Sequence, residues 1–434
     1  MNRTAQGSVG IETPWINLRM MMNGLLFWLI LLAVFYLAYS LGARNTVARL
    51  ATMRQTPPPL PSEDLARVES RLVPMLMITG RKAIGDAFEF EGRLRGEPEQ
   101  MFREIREAFA GEPVTPMLLE GGENNVRVLV LPDEKRREPV ERPKWWVHWA
   151  LFLATLITTT WAGALNAGVN LLQQPERFAV GLPYSLGLLL ILGAHELGHY
   201  FTARAYGIRV TPPFFIPVPF ALGTFGAFIK IKSLTPNRRA LFDVAVAGPL
   251  AGLVFAVPAL LIGLRLSHLV PATSATGMAG GGVNIGSSVL LAVLTKMSLG
   301  VSVLDGHRLL LHPLAFAGWL GLIVTALNLL PIGQLDGGHI SHAVFGERRA
   351  HGISMVALAL LFFVALFVWP GLLFWAFIVF FIAGTHDAPA ANDVTPVGFP
   401  RRALGYFAFA VLLLIILPVP HSLFHVMGIH YRYL

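Results

Sequence analysis

The sequence predicts an α-helical polytopic membrane protein of about eight spans, with a membrane-associated β-hairpin and a small α+β cytoplasmic domain. The first observation is composition: 54% of the 434 residues are hydrophobic, 14% are charged, and the mean hydropathy is +0.59, which is too apolar for a soluble enzyme. The second is arrangement, because the apolar residues occur in blocks near the ~20 residues that a helix needs to cross a bilayer. The third is that two segments, one charged and one rich in proline, interrupt these blocks.

Eight apolar blocks are predicted to form membrane-spanning helices. They are 24–42, 145–165, 182–206, 242–264, 313–331, 353–369, 371–384 and 403–417. The seventh is short and is predicted to be tilted, half-inserted or paired with the sixth through Pro370. The polar lead before Leu25 and the lack of a small-residue cleavage site after Leu41 favour a retained first span over a signal peptide.

The blocks divide the chain into four predicted regions. We expect an N-terminal segment with the first transmembrane helix over 1–42, a soluble α+β domain over 43–144, an intramembrane core over 145–400, and a C-terminal transmembrane helix with a tail over 401–434. The second region holds 17 of the 34 Lys and Arg residues and begins with a proline-rich linker. Both features are typical of a soluble module, and the region contains no catalytic cluster of its own.

Residue patterns predict the elements of that module. The run AFEFEGRL alternates like a strand, and EPEQMFREIREAF predicts a helix with Pro98 near its start and Met101, Ile105 and Phe109 on one face. The runs TPMLLEGG and NNVRVLVLP predict a β-hairpin across a glycine-containing turn. Together these elements indicate a compact α+β module.

The second interruption, VTPPFFIPVPFALGTFGAFIKIKS, joins several prolines to Gly223, Gly226 and an alternating tail. So many prolines disfavour a spanning helix. Non-helical backbone near a membrane is tolerated where it is buried in protein or lines a cavity, so we expect a re-entrant loop or β-hairpin. An exposed hairpin edge can pair with an extended peptide, which makes Gly223 and Gly226 candidate substrate-binding residues.

Charge predicts the orientation and the partners. If the third span ends at the cytoplasm, the cytoplasmic loops collect Arg209, Lys230, Lys232, Arg238, Arg239, Arg348 and Arg349. The positive-inside rule supports this orientation, which also puts region 43–144 in the cytoplasm.

The net charge of +8 is dispersed beside apolar blocks, so it favours the lipid bilayer as partner and disfavours nucleic acid. Cysteine is absent, so a metal would need His, Asp or Glu ligands.

The side chains that can bind a metal and support catalysis are concentrated in HELGH, inside the third apolar block. His195 and His199 are four residues apart, so their imidazoles share a helix face and can bind one metal ion, while Glu196 can act on a water that the metal holds. An ionised group inside a membrane costs roughly 2.5 to 3.5 kcal/mol on insertion scales and usually marks function. The alternative is a buried polar network without metal. Gly193 and Gly198 are expected to let a neighbouring helix or a substrate approach closely.

A catalytic zinc usually has three protein ligands and one position for water. Asp336, in NLLPIGQLDGG after the fifth block, is the best candidate for the third ligand, because the predicted topology puts it on the same side as the histidines. It is alternatively a turn residue before Gly337 and Gly338, and His339 is the nearest rival ligand. The run AVAGPLAG, residues 245–252, indicates close helix packing in the fourth block.

HELGH, AGPLAG and NLLPIGQLDGG, in this order, resemble the site-2 protease family of intramembrane zinc metalloproteases, which is peptidase family M50. The resemblance covers most of residues 145–400. It implies one Zn²⁺ per chain, bound by His195, His199 and Asp336, with Glu196 as the catalytic base.

Shorter stretches narrow the resemblance to one branch of that family. FEGRLRG, LHPLAFAGWLG and NDVTPVG are similar to the plant chloroplast EGY proteases and their cyanobacterial and bacterial relatives, and no PDZ-like stretch is visible. The resemblance implies that Asn328 contacts the substrate backbone. Gly333 stands where many members have a second proline, which affects the loop but no ligand. The N-terminus lacks a Ser-rich transit peptide, so we expect a bacterial plasma membrane with the active site toward the cytoplasm.

The expected function is therefore zinc-dependent endoproteolysis of transmembrane segments, as in regulated intramembrane proteolysis, with a transmembrane protein as substrate. Three alternatives stay open. An HExxH protease with a glutamate as third ligand has no well-placed glutamate here. A metal or ion transporter would favour inverted repeats, and the hydropathy shows no internal repeat. A pseudoprotease would not need the intact Glu196.

Overall fold

The computed structural model describes residues 62–84, 87–122, 125–132, 143–219, 222–271, 288–300, 307–367, 372–384 and 387–420. The predicted first span, 24–42, lies outside the described residues. Contacts divide the chain into two compact units, one of residues 1–68 with 83–87 and the other of residues 69–82 with 88–434. Of the first unit, the structure describes the start of helix α1, Ser62–Leu72, and a short stretch at 83–84. Apart from residues 83, 84 and 87 at strand ends, the features discussed below belong to the second unit.

A four-stranded sheet has the order β1-β2-β4-β3. Its elements are β1 Leu76–Ile84, β2 Ala87–Leu94, helix α2 Pro98–Ala108, β3 Val114–Glu120 and β4 Val126–Pro132. Strands β3 and β4 pair antiparallel, with Met117 opposite Leu129. The predicted strand, helix and hairpin of this region are confirmed. The apolar face expected for α2 is also confirmed, because Met101, Ile105 and Phe109 are buried.

Helices dominate the rest of the described chain. In order they are α3 Trp145–Asn166, α4 Leu182–Ala205, α5 Arg238–Arg265, α6 Val289–Leu299, α7 Pro313–Leu329, α8 Asp336–Phe345, α9 Glu347–Phe367, α10 Leu373–Ile378 and α11 Phe399–Ile416. A 3₁₀ helix, Pro175–Gly181, leads into α4, and a π-helix, Val379–Ala383, extends α10. Two short strand pairs join them: β5 Phe214–Pro217 with β6 Thr224–Phe228, and β7 His268–Pro271 with β8 His307–Leu310.

Five helices of the described residues are long and apolar enough to cross a membrane: α3, α4 with its 3₁₀ lead, α5, α9 and α11. The predicted number of about eight is not confirmed. Block 313–331 yields only the 17 residues of α7, because the residue before a proline avoids helical backbone and Pro331 follows Leu330. Block 371–384 yields the six-residue α10 and the π-helix. Helix α6 was not predicted.

Helices α4, α5 and α7 form the centre of the helical part, and small residues set their spacing. A Cβ atom on Gly318 of α7 would lie 2.5 Å from the backbone nitrogen of Leu260, and one on Gly263 of α5 would lie 2.2 Å from that of Ala315. Both distances are far below van der Waals contact, so glycine is required for the two helices to approach this closely.

The predicted β-hairpin is present as β5 and β6, with Phe214 opposite Phe228. It packs against α3, where the rings of Phe152 and Phe215 lie 5.3 Å apart. The Thr158 hydroxyl of α3 donates a hydrogen bond of 2.7 Å to the carbonyl of Gly223 at the base of β6. The hairpin is therefore attached to the helical core through both side chains and backbone.

A short segment near the C-terminus adds to the four-stranded sheet. The backbone N–H of Leu118 in β3 donates to the carbonyl of Ala391 over 2.7 Å, and that of Asp393 donates to the carbonyl of Leu118 over 2.8 Å. On its other side, Ala391 donates to the carbonyl of Thr235, just before α5. The segment 391–393 thus lies between the sheet and the start of a long apolar helix.

Candidate metal centre

Three donor groups meet where α4 faces the start of α8. His195 and His199 lie one turn apart on α4, with their Nε2 atoms 3.1 Å apart. Asp336 is the first residue of α8, and its carboxylate oxygens lie 3.3 Å from His195 Nε2 and 3.4 Å from His199 Nε2. All three donor atoms lie within 4.8 Å of one another. The structure therefore brings together the three residues predicted as metal ligands.

Backbone contacts orient the ligands. The Nδ1 of His199 lies 2.8 Å from the carbonyl oxygen of Val244 on α5 and donates to it, which leaves the Nε2 lone pair facing Asp336. Asp336 is followed by two glycines in close contact with backbone: a Cβ on Gly337 would lie 1.9 Å from the carbonyl oxygen of Leu329. The alternative of a turn at Asp-Gly-Gly is wrong, because these residues form the first turn of α8. The close packing of this turn on Leu329 brings the carboxylate to the histidines.

The AGPLAG run on α5 makes room for the histidines. A Cβ on Gly248 would lie 2.1 Å from His199 Nε2, whereas one on Gly252 would lie 3.4 Å from His195 Nδ1. The predicted close helix packing is confirmed at Gly198, where a Cβ would lie 2.6 Å from a backbone oxygen of α5. A Cβ on Gly193 would meet only Phe215, at 3.8 Å, so no other described helix approaches Gly193 closely. Its expected role toward a substrate stays a prediction.

Four further residues were predicted to belong to the site. Two of them lie beside the donor group, and the other two lie in the hairpin. Glu196 is buried, with 7% of its surface exposed, and its carboxyl group interacts with the backbone amide of Ile229, next to β6. The side-chain nitrogen of Asn328 lies 3.2 Å from His195 Nε2. Gly223 and Gly226 have φ angles of +81° and +100° and lie in the hairpin, outside the donor group.

The chemistry of the donor group fits a metal ion. Two imidazole lone pairs and a carboxylate that face one another repel unless a proton or a cation lies between them. Burial acts to raise the pKa of Asp336, but the positive charge of a protonated His199 and the hydrogen bonds from both histidines lower it well below its usual range. The carboxylate is therefore ionised, and a metal cation can take the place of the histidine protons. Two imidazoles and one carboxylate form a donor set that zinc takes in catalytic sites.

The rival ligand His339 belongs to a different group of side chains. Its Nδ1 lies 2.7 Å from an oxygen of Asp387, and His342, one turn further along α8, contacts both Asp387 and Asp393. Sequence reasoning missed this network. The available signals were the three-residue spacing of the two histidines and the aspartate in NDVTPVG, neither of which is specific alone.

Gly333, the position at which the sequence departs from the family pattern, has a φ of +46°. Its backbone N–H donates to the Ser354 hydroxyl over 2.9 Å. Proline fixes φ near −65° and has no N–H. The loop of this chain needs a positive φ and an N–H donor at position 333, which glycine provides and proline does not.

A His–His–Asp group lies beside a buried glutamate, and the two histidines and the glutamate are on a helix apolar enough to span a membrane. This combination is typical of the metalloprotease centres of membrane proteins. The sequence profile of peptidase family M50 matches residues 183–370, a range that contains all of these residues. Residues 183–370 therefore form a domain of peptidase family M50, and the family that the motifs predict is confirmed.

Curated relatives agree with this assignment. Over 353 residues the chain is 31% identical to a protein of Arabidopsis thaliana named "Probable zinc metalloprotease EGY2, chloroplastic", covering 80% of this chain and 62% of that protein. It is 27% identical over 439 residues to the EGY1 protein of Oryza sativa subsp. japonica, covering 91% and 74%. It is 36% identical over 252 residues to the EGY1 protein of Arabidopsis thaliana, covering 57% and 45%.

The chain spans about three fifths of the length of the first of these relatives. Their names imply Zn²⁺ as the cofactor, and the His–His–Asp group is one that can hold it. No solved structure matches the chain.

Proposed function

We propose that this chain is a zinc metalloprotease that cleaves transmembrane segments of membrane proteins, within or near the bilayer. The observation that carries the proposal is the donor group of His195, His199 and Asp336 with the buried Glu196 beside it. The two histidines and Glu196 lie on a helical stretch, Pro175–Ala205, that is long and apolar enough to span a membrane. Ionisable groups at such a place are costly, so their presence supports a function there.

The proposed chemistry is peptide hydrolysis. Zinc bound by His195, His199 and Asp336 would polarise the scissile carbonyl and acidify a water molecule. Glu196 takes the proton of the attacking water and passes it to the leaving amine, which is general base and then general acid catalysis. The Val244 carbonyl holds His199 in the tautomer that leaves Nε2 free to bind.

Substrate binding is proposed to use the hairpin and Asn328. A helical substrate hides its peptide bonds in internal hydrogen bonds, so it must unwind before cleavage. Strand β6 ends next to Ile229, whose amide faces Glu196, so a substrate strand paired with β6 would run beside the catalytic base. The positive φ angles of Gly223 and Gly226 shape this strand, and the Asn328 amide near His195 can bind a substrate carbonyl.

Region 43–144 as a separate soluble domain, its cytoplasmic position and the cytoplasmic orientation of the active site remain proposals, supported by the distribution of basic residues. The bacterial plasma membrane stays a prediction, because the curated relatives are named chloroplastic. The membrane location itself is supported by the five apolar helices.

The test uses the purified full chain in proteoliposomes, with a single-span reporter protein whose transmembrane segment carries a Gly-Pro pair. Glu196→Gln is expected to keep the zinc content of the wild type and to lose cleavage, because the amide cannot take the proton. Glu176→Gln is the matched control, since this variant has the same charge change at an exposed residue before α4. The Glu176→Gln protein is expected to cleave the reporter at the wild-type rate. Turnover by Glu196→Gln at the control rate would contradict the proposed mechanism.

A further inference from the structure

Buried charged side chains extend from α8 to the four-stranded sheet, and the proposed hydrolysis does not use them. His342 lies between two carboxylates: its Nδ1 is 2.8 Å from an oxygen of Asp387 and its Nε2 is 2.9 Å from an oxygen of Asp393. Both nitrogens can donate to carboxylates only when the ring is protonated. Burial acts to lower the pKa of His342, but the hydrogen bonds and charges of the two aspartates raise it to about 10. His342 is therefore an imidazolium at neutral pH and is not a metal ligand.

The row of buried charges formed by His342, Asp387 and Asp393 continues from Asp393 to the four-stranded sheet. The second oxygen of Asp393 lies 3.4 Å from the Nε of Arg238 at the start of α5, and the Arg238 guanidinium pairs with Glu120 of β3. Asp393 and Arg238 have side chains that are 0% and 6% exposed. Successive members alternate in charge, so each buried ion depends on its neighbours.

At its other end, the row is attached to the helix that carries Asp336. His339 and His342 follow Asp336 at intervals of three residues, so all three lie toward one side of α8. Asp387 contacts both histidines, because its other oxygen lies 2.7 Å from His339 Nδ1. The carboxylate of Asp387 thereby fixes the rotation of α8 about its axis, and this rotation determines where Asp336 points.

Asp393 connects the two ends through its backbone as well as its side chain. Its N–H donates to the carbonyl of Leu118 in β3, while its carboxylate holds His342 of α8. A shift of β3 relative to α8 would separate Asp393 from either Leu118 or His342. Leaving one of these buried ions without its partner is strongly unfavourable, so the position of β3 and the position of α8 are coupled.

We propose that Asp387 and Asp393 are positioning residues for the metal ligand Asp336, and that β3, through Glu120, Arg238 and Asp393, sets the position of α8 and thereby the geometry of the metal centre. This inference rests on the proposed function. A displacement of β3 would then weaken the metal site without touching it.

The experiment compares the full-length wild type with Asp393→Asn and Glu120→Gln in the same detergent. Zinc affinity is measured by competition with a chelator, ligand geometry by the visible absorption of the Co²⁺-substituted protein, and kcat and KM with the single-span reporter. Arg239→Gln is the matched control, because Arg239 neighbours Arg238 and pairs with Glu99 of α2 at the surface, where the two side chains are 41% and 57% exposed.

Asp393→Asn is expected to weaken zinc binding by about tenfold, the lower end of the effect of residues that support a metal ligand. It should also change the Co²⁺ spectrum and lower kcat, with KM unchanged. Glu120→Gln should act in the same direction with a smaller effect, and Arg239→Gln should match the wild type. Glu120 is partly exposed, at 28% of its side chain, so its variant decides the question if Asp393→Asn does not fold.

Wild-type zinc affinity and an unchanged Co²⁺ spectrum in folded Glu120→Gln and Asp393→Asn would overturn the inference. The readouts also separate it from the proposed function. If the variants bind zinc more weakly but the wild type cleaves no reporter, the coupling stands and the protease proposal fails. If the wild type cleaves and the variants bind zinc normally, the protease proposal stands and the coupling fails.

Discussion

Replacing Gly248 by alanine is expected to remove zinc from the proposed site. The new Cβ would lie 2.1 Å from His199 Nε2 and 2.5 Å from two carbons of the same ring. Carbon and nitrogen atoms that are not bonded need more than 3 Å, so the imidazole or α5 must move by about 1 Å. The ring cannot simply turn away, because its Nδ1 is held by the Val244 carbonyl at 2.8 Å.

The size of this displacement sets the size of the effect. Metal–ligand distances in working sites hold within about 0.2 Å, so a movement of about 1 Å removes His199 as a ligand. Zinc affinity should fall by about a hundredfold or more, and cleavage with it, since errors of this size cost about that much in rate. The matched control is Gly252→Ala, one turn along the same helix, where the new Cβ would lie 3.4 Å from His195 Nδ1. Ordinary contact at that distance predicts an affinity within about threefold of the wild type.

The assay is zinc content after dialysis together with chelator competition, measured on both variants purified in the same detergent. Circular dichroism checks that each variant retains its helices. The reasoning is refuted if Gly248→Ala, folded as judged by its helix content, holds zinc as tightly as Gly252→Ala. Loss of zinc in both variants would also count against it, because the two predicted contacts differ so much.

Three further outcomes follow from the structure. Gly333→Ala should lower the free energy of unfolding by about 1 to 3 kcal/mol, because its Cβ would lie 2.2 Å from a backbone oxygen; Gly352→Ala, with open space around its Cβ, should not destabilise, and equal thermal melts would contradict this. Thr158→Val removes the hydroxyl bonded to the Gly223 carbonyl and should raise KM for the single-span reporter at unchanged zinc content; an unchanged KM would refute a role of the hairpin in substrate binding. The pKa of His342 is raised to about 10, so the stabilising charge of its ring is fully present below about pH 6.5 and is lost as pH rises through about 10. Between these pH values, the melting temperature of the wild type should fall more steeply than that of His342→Gln.

The parts of the site that depend on local spacing could be predicted from the sequence. Four residues along a helix return to the same face, so His195 and His199 had to converge if the block was helical. Asp336 is distant in sequence, and only the topology of the spans placed it on the same side. The pattern AGPLAG predicted close packing of α5, but nothing in it showed that Gly248 packs against a metal-ligand candidate rather than against another backbone.

The contacts that escaped prediction join residues without a local pattern. Asp393 and His342 contact one another over 2.9 Å although they are 51 residues apart in sequence. Neither the two histidines of α8 nor the aspartate of NDVTPVG is specific alone, and the simplest interpretation of such residues is a loop or interfacial position. The length of α7 was also misjudged, because hydropathy continues through Leu330 whereas the backbone before Pro331 leaves the helix. Periodicity in the sequence predicts helices and strands, but it does not predict which charged residues pair over long distances in the chain.

The two halves of the metal centre are held in place by different forces. The half on α4 depends on packing, since Gly198 and Gly248 bring α5 so close that the Val244 carbonyl reaches His199. Asp336, on α8, depends on buried charges, since carboxylates that lie outside the apolar helices bind the polar side of that helix. Packing between apolar helices tolerates almost no movement, whereas the buried ion pairs hold α8 only as long as each ion keeps its partner. Any adjustable step in assembling the site therefore belongs to Asp336 and not to the histidines, which is the side that the sheet contacts through Asp393.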